Sequence, residues 1–256
     1  MVPCIKPALF AAALTFLFGS PAAVQVVILN EWRGERHMAC LENVASDPST
    51  GMALANDWLD HGGRFAAQHC QAVAEASIGD PAAAARAFAG LAAVLPDDRW
   101  GDIGQLWAQA GHAWLLAEEP QEALGAFNQA VRELPDDPNL LADRAVVQAL
   151  LGDFRAAADD LTRALERRGD DPELLLYRAT AYRYLENLRG GLADLDRALT
   201  LAPDFPEALL ERGNQRALVG DDQGAAEDWR RVRLLVRPES DLAQQAAANL
   251  NQLNAN

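Results

Sequence analysis

The stretch that decides the fold is residues 104–137, GQLWAQAGHAWLLAEEPQEALGAFNQAVRELPDD. A similar order of small, large and proline residues returns in three further blocks, which start at Pro138, Pro172 and Pro206 and need no gap between them. A fixed period of 34 residues is typical of proteins that stack copies of one structural unit. The repeat therefore predicts that each block folds as the same unit and packs on its neighbours.

Small residues recur at positions 8, 20 and 27 of the blocks, where the first block has Gly111, Ala123 and Ala130. Two antiparallel helices approach closely only where their side chains are small, with larger groups filling the spaces between. Proline at the first position of the later blocks fits a helix start, because a missing amide donor costs nothing there. Each block is therefore predicted to be a helix, a turn and a second helix.

Opposite charges repeat in the same phase as the small residues. Arginine stands at position 7 and aspartate at position 23 of three blocks, as Arg144, Arg178 and Arg212 and as Asp160, Asp194 and Asp228. In the block from Gly104 both are absent together, replaced by Ala110 and Ala126. We predict a structural ion pair across the two helices of each pair.

This pattern resembles the tetratricopeptide repeat (TPR). The first block carries the family's positions 4, 8, 11, 20, 24, 27 and 32 as Trp107, Gly111, Trp114, Ala123, Phe127, Ala130 and Pro135. Departures are Gln148 and Arg216 at position 11 and Gly169 in place of the closing proline. The resemblance implies an all-α, right-handed superhelical solenoid of antiparallel helix pairs.

The resemblance divides the chain into consecutive segments. TPR blocks are expected at 104–137, 138–171, 172–205 and 206–239, a TPR-like block at 65–98, a degenerate helical pair at 37–64 and a capping helix at 240–253. The five residues Arg99 to Ile103 read as an insertion between blocks. Ser240 can cap the last helix, whose apolar residues lie on one side.

The N-terminus has the order of a secretory signal peptide. Lys6 precedes an apolar run, and small residues at Ser20 and Ala22 mark a possible cleavage site. We therefore expect a signal peptide at 1–22, a linker at 23–36 and a periplasmic protein of bacterial type. The uncharged span from Pro7 to Asn30 is also long enough to cross a bilayer once, so a single N-terminal membrane anchor is the alternative. Membrane association is expected only if this segment is retained.

Composition argues against several classes of function. The formal net charge of −15 disfavours nucleic acid as a partner, because a polyanion would be repelled over most of the surface. No phosphate-binding loop and no nucleophile elbow are present, and the Asp-Asp pairs fall mostly at turns, where they are expected to cap helices. The sequence predicts no enzyme, no cofactor and no catalytic residue.

Cys40 and Cys70 remain after cleavage and fall on the first helices of adjacent pairs. An even number of cysteines in an exported chain predicts a disulfide. The alternatives are free buried thiols or a metal site that adds His37 and His69, although the spacing matches no known zinc motif.

TPR proteins bind an extended peptide or a helix in a concave groove, which the first helix of each pair lines. The resemblance implies that the partner-binding residues here include His112, Val146, Leu176, Thr180, Arg183, Leu210 and Asn214. Tyr177 and Tyr184 are adjacent to them, lie seven residues apart on one helix face, and are predicted to join them as anchors. For Tyr177 and Tyr184, packing against the neighbouring block is an equally good reading. The groove has no lysine and only Asn214 at a position of the family's carboxylate clamp.

The sequence therefore predicts a non-catalytic interaction scaffold or adaptor in the cell envelope, which binds a peptide or helix of a partner protein. Two alternatives are a thiol- or metal-binding accessory protein acting through Cys40 and Cys70, and a regulatory subunit of an envelope enzyme.

Overall fold

A computed structural model of the chain describes residues 34–95 and 100–254. The signal peptide expected at 1–22 and most of the linker expected at 23–36 lie outside these residues, as do residues 96–99. The chain divides into two compact units, residues 1–151 and 152–256.

The described residues form 13 α-helices and no strand. In unit 1 these are α1 Glu35–Ser46, α2 Pro48–Asp60, α3 Phe65–Ile78, α4 Pro81–Val94, α5 Trp100–Leu116, α6 Pro120–Glu133 and α7 Pro138–Leu150. In unit 2 they are α8 Phe154–Arg168, α9 Pro172–Tyr184, α10 Leu188–Leu201, α11 Pro206–Leu218, α12 Asp222–Leu235 and α13 Asp241–Asn254. The expected all-α class with consecutive helix pairs is confirmed.

Unit 1 stacks three helix pairs and α7, with the helices packed in chain order. Asp47 and Asp80 each cap the helix that follows by accepting a backbone N–H bond, and a proline occupies the first helical position after each of them. Residues 100–103, which the repeat period leaves as part of an insertion, form the first turn of α5, and residue 99 lies outside the described residues. Ile103 is buried in the core of unit 1, so the apolar stripe of α5 extends one turn further than the repeat predicts.

Unit 2 contains α8, the pairs α9–α10 and α11–α12, and the single helix α13. Pro172 and Pro206 start α9 and α11 as predicted. The hydroxyl of Ser240 accepts a bond of 3.3 Å from the backbone N–H of Ala243, which confirms the expected cap of the last helix. Leu250 of α13 packs into the core of unit 2, so this helix covers the end of the stack.

The small residues occupy the closest helix contacts. The alanines at positions 8, 20 and 27 of the four blocks are completely buried: Ala123, Ala130, Ala145, Ala157, Ala164, Ala179, Ala198 and Ala225. A Cβ atom placed on Gly213 would lie 2.5 Å from Nε1 of Trp229, and one on Gly111 would lie 2.8 Å from the ring of Phe127. The spacing of small side chains therefore sets how closely the helices approach.

Two of the three ion pairs predicted between positions 7 and 23 are confirmed. Nε and Nη2 of Arg178 donate to Asp194 at 2.8 and 2.7 Å, and Nε and Nη2 of Arg212 donate to Asp228 at 2.9 and 2.7 Å. Both are bidentate, which is the strong geometry for an arginine and a carboxylate. The third pair, Arg144 with Asp160, stays a prediction.

The same arginines also reach back to the preceding block. Nη1 of Arg144, Arg178 and Arg212 donates to Asn128, Thr162 and Asp196, respectively, at 3.2, 3.2 and 2.9 Å. All three acceptors stand at position 25 of their blocks. Arginine at position 7 therefore joins neighbouring repeats as well as the two helices of a pair.

Among the described residues, no helix is both long enough and apolar enough to span a bilayer.

Candidate functional site

Five of the nine predicted groove residues are buried. They are Val146, Leu176, Thr180, Leu210 and Asn214. The structure corrects the prediction that these side chains line an open groove. In unit 2 the physical reason is that the first helices of successive pairs, α9 and α11, pack against each other.

Asn214 shows what these positions do instead. Its Oδ1 atom accepts a bond of 3.2 Å from Nε1 of Trp229 and one of 2.8 Å from Nδ2 of Asn249. The side chain thus joins α11 to α12 and α13 inside unit 2. Both bonds to this oxygen are made within unit 2, and the side chain is buried.

Two predicted residues, Arg183 and Tyr184, form a cluster with Phe154 at the end of α9, in which both rings are partly buried and the Arg183 side chain is 10% exposed. The rings of Tyr184 and Phe154 stack with their centroids 4.0 Å apart and their planes 3° apart. Cζ of Arg183 lies 4.5 Å from the centroid of the Tyr184 ring, within the range of a cation–π contact. We call Phe154, Arg183 and Tyr184 the Tyr184 cluster. Tyrosine and arginine are the residue types that most often anchor partners at binding surfaces.

Arg183 is held in place by a carboxylate that the sequence did not single out. Its Nε donates to Oε1 of Glu211 at 2.7 Å, and Glu211 is completely buried. Burial, the largest single cause, acts to lower the pKa of the Arg183 guanidinium, but the charge of Glu211, the hydrogen bond to it and the interactions with Tyr184 together raise the pKa above its ordinary value. Nε2 of Gln215 donates to the same carboxylate oxygen at 2.9 Å. The arginine of the cluster is therefore charged and fixed in orientation before any partner binds.

Exposed apolar residues lie beside this cluster in the chain, at the turns inside the two helix pairs of unit 2. Leu185 follows Tyr184 directly, and Leu218 and Val219 occupy the equivalent two positions of the next pair, where they are 45% and 52% exposed. We call Leu185, Leu218 and Val219 the turn edge. Large apolar side chains are thus exposed at the same turn of two successive repeats, where they offer apolar surface to a partner.

The remaining predicted groove residues are His112 and Tyr177, both partly buried. His112 belongs to unit 1, where its Nε2 lies 3.0 Å from Oδ2 of Asp143 and its ring packs edge-on against Phe127. Tyr177 lies on α9 of unit 2, seven residues before Tyr184.

Cys40 and Cys70 lie on α1 and α3, the first helices of the first two pairs of unit 1. The Sγ atoms of Cys40 and Cys70 are 2.02 Å apart, at bonding distance, and join α1 to α3. Two histidines lie close to the cysteines in sequence, His37 on α1 and His69 on α3. Nε2 of His37 lies 3.1 Å from Nδ1 of His69, and Nε2 of His69 lies 2.9 Å from Oε1 of Gln109. Burial, reinforced by the neighbouring His37, lowers the pKa of His69 to about 3 despite the hydrogen bond to Gln109. No three histidine, cysteine or acidic side chains in the described ranges are placed to hold a metal ion.

Comparisons with solved structures place this fold among TPR proteins. The C-terminal part of a TPR repeat-containing protein from Cytophaga hutchinsonii is 13% identical with a TM-score of 0.64, covering 88% of this chain and 96% of that one. YrrB, described as a TPR protein with an unusual peptide-binding site, is 17% identical with a TM-score of 0.60, covering 75% and 96%. MamA from Desulfovibrio magneticus is 17% identical with a TM-score of 0.58, covering 81% and 99%.

In sequence, no family model matches the chain and no curated protein is significantly similar to it. The resemblance to TPR proteins that the 34-residue period indicated is therefore carried by the three-dimensional structure, and it establishes the fold.

Proposed function

We propose that the chain is a non-catalytic scaffold that binds a segment of a partner protein through the Tyr184 cluster and the turn edge of unit 2. The observation that carries this proposal is the fixed arginine and stacked aromatic pair, together with the leucine and valine side chains exposed at the turns of the same unit. The apolar side chains would bury surface with a partner, and Arg183 and Tyr184 would give direction through hydrogen bonds. The peptide-binding site described for YrrB supports a peptide or helix as the ligand.

The site is tested by photocrosslinking in the native host. A photoreactive phenylalanine replaces Tyr184 in one variant and Leu218 in another, and the control carries it at Asp159, an exposed position on α8 of the same unit. We expect the same partner protein to crosslink at 184 and 218 but not at 159. Crosslinking at all three positions, or at none, would contradict the site.

Affinity for the captured partner separates contact from folding. We expect Tyr184→Ala to weaken binding by about 30-fold, as for an anchor worth ~2 kcal/mol. Tyr184→Phe preserves the stack on Phe154 and serves as the control for folding. If Tyr184→Ala folds and binds like the parent, the anchor role is wrong.

We further propose that the protein is exported to the cell envelope, with a disulfide between Cys40 and Cys70. The order of the N-terminal residues and the bonding distance between the two sulfurs support this. Mass spectrometry of the exported chain would show an N-terminus near residue 23 and a gain of two hydrogens on reduction. A bound metal ion, with Cys40 and Cys70 not joined by a disulfide, would instead favour the thiol- or metal-binding accessory role.

A further inference from the structure

The end of α12 carries an exposed surface whose residue types differ from those at the same positions of the earlier blocks. Leu234 is 86% exposed, and Arg230, Arg233 and Arg237 are exposed around it. The side chains of these three arginines form no hydrogen bond or ion pair with any described residue. We call these four residues the α12 patch.

Arg230 departs from the repeat at position 25. In three earlier blocks this position holds an acceptor, and each acceptor receives a bond from the arginine at position 7 of the next block. After α12 the next helix is α13, where position 7 is the buried Ala246, so no donor follows. The packing therefore leaves position 25 free, and the residue there is a cation.

Leu234 departs at position 29, one helical turn further on the same face. The three earlier blocks have the exposed polar residues Arg132, Glu166 and Thr200 at this position. α12 is the second helix of the last pair, and the outer faces near the end of a stack are expected to turn polar side chains to water. Capping accounts for charge on this face, but it does not account for an exposed leucine.

Arg233 places a charge at a position where the earlier blocks have apolar side chains. At its position 28 the earlier blocks have Val131, Leu165 and Leu199, which are buried or half-buried apolar residues. α13 packs on α12 without covering this position, and a protein helix laid directly over it would bury the charge of Arg233 without a partner. A lipid surface does not require an apolar residue at position 28. Arginine side chains can reach the lipid phosphate groups while the leucine side chain enters the acyl boundary.

We propose that the α12 patch binds the surface of an anionic membrane. Its three unpaired arginines stand out because acidic residues outnumber basic ones by 37 to 22 in this chain, so a solubilising end would be expected to carry carboxylates. The contact is local and is separate from the Tyr184 cluster. If the uncharged span at 7–30 is retained as an anchor, the patch supplies the second contact that stable membrane attachment requires.

The test measures partitioning of the processed chain onto vesicles by co-sedimentation. Vesicles of equal parts phosphatidylglycerol and phosphatidylcholine are compared with vesicles of phosphatidylcholine alone. The patch variant is Arg230→Glu with Arg233→Glu. The control is Arg155→Glu with Arg189→Glu, which makes the same charge change at two exposed arginines of unit 2 that form no bond with any described residue. All chains have the same processed N-terminus, so a difference in partitioning comes from the substitutions alone.

We expect the patch variant to lose about tenfold or more of its partitioning onto anionic vesicles, and the control to stay within about twofold of the parent. Leu234→Ser, which leaves all charges in place, should also reduce partitioning. Higher salt should reduce binding of the parent. Equal losses in patch and control variants would show a non-specific effect of charge and overturn the proposal. A parent chain that ignores anionic vesicles but binds a soluble polyglutamate peptide would overturn it in favour of an acidic protein partner.

Discussion

Acidification should destabilise unit 1 through His69. This side chain is buried, with Nδ1 facing His37 and Nε2 facing Gln109. Its pKa is about 3 in the folded chain, against an ordinary value of 6.5. Because folding lowers the pKa, the folded state rejects a proton that the unfolded state accepts. The stabilising effect is complete above pH 6.5 and is lost progressively as the pH falls towards 3.

The size of the effect follows from the separation of the two values. Each pH unit below 6.5 removes about 1.4 kcal/mol of the free energy of unfolding, until the folded pKa is approached. At pH 4.5 the expected loss is therefore about 2.7 kcal/mol from this one group. That is a large share of the ~5–15 kcal/mol that stabilises a typical domain.

The assay is urea unfolding of the oxidised chain at several pH values between 7 and 4.5, monitored by the fluorescence of the tryptophans in unit 1. His69→Gln removes the titration and keeps a polar side chain, so its free energy of unfolding should fall by about 2.7 kcal/mol less than that of the parent over this range. The carboxylates titrate in both proteins and cancel in the comparison. His61→Gln, at an exposed position of the same unit, should follow the parent. If the parent and His69→Gln lose stability in parallel, His69 does not carry the effect.

Two further predictions concern packing and charge, and both are measured as free energies of unfolding at pH 7. Gly213→Ala should destabilise by about 1–3 kcal/mol because its Cβ would meet Trp229, whereas Gly125→Ala, with open space around its Cβ, should stabilise by about 0.5–1 kcal/mol. A destabilised Gly125→Ala chain would contradict this account of close approach. Asp228→Asn should cost about 3 kcal/mol, because Asp228 is buried and binds two arginines, while Asp196→Asn at an exposed position should cost less than about 1 kcal/mol. Equal costs would show that burial of the ion pair is unimportant.

The helix pairs could be predicted from the sequence because their signal is local and repeated. Small residues 12 and 7 positions apart determine where two helices of a hairpin touch, and proline marks where helices begin. The start of α5 was missed for a related reason. A period locates equivalent positions but cannot show that Ile103, outside the period, still has a core to enter.

Which of the predicted groove residues are exposed could not be predicted from the sequence, because exposure on the first helices depends on how closely successive pairs approach. That distance is set by all the side chains between α9 and α11 together, and no single position reports it. Thr180 and Asn214 read as polar groove residues, yet each is buried with its hydrogen bond made inside the unit. The stack of Phe154 on Tyr184 joins α8 to α9 and has no counterpart in the sequence pattern.

The acceptors at position 25 show a different limit of reasoning from residue identity. Asn128, Thr162 and Asp196 share no residue type, so a search for a recurring side chain passes over them, although the arginine donors at position 7 recur without change. What recurs is the capacity to accept one hydrogen bond from a guanidinium, and amide, hydroxyl and carboxylate oxygens all have it. A guanidinium with five donors that is bound by one carboxylate still has donors left, so the strict recurrence of arginine could itself have indicated a second acceptor. The same reasoning applies to Arg230. It places a donor at position 25, where the earlier blocks have an acceptor, and its side chain bonds to no described residue.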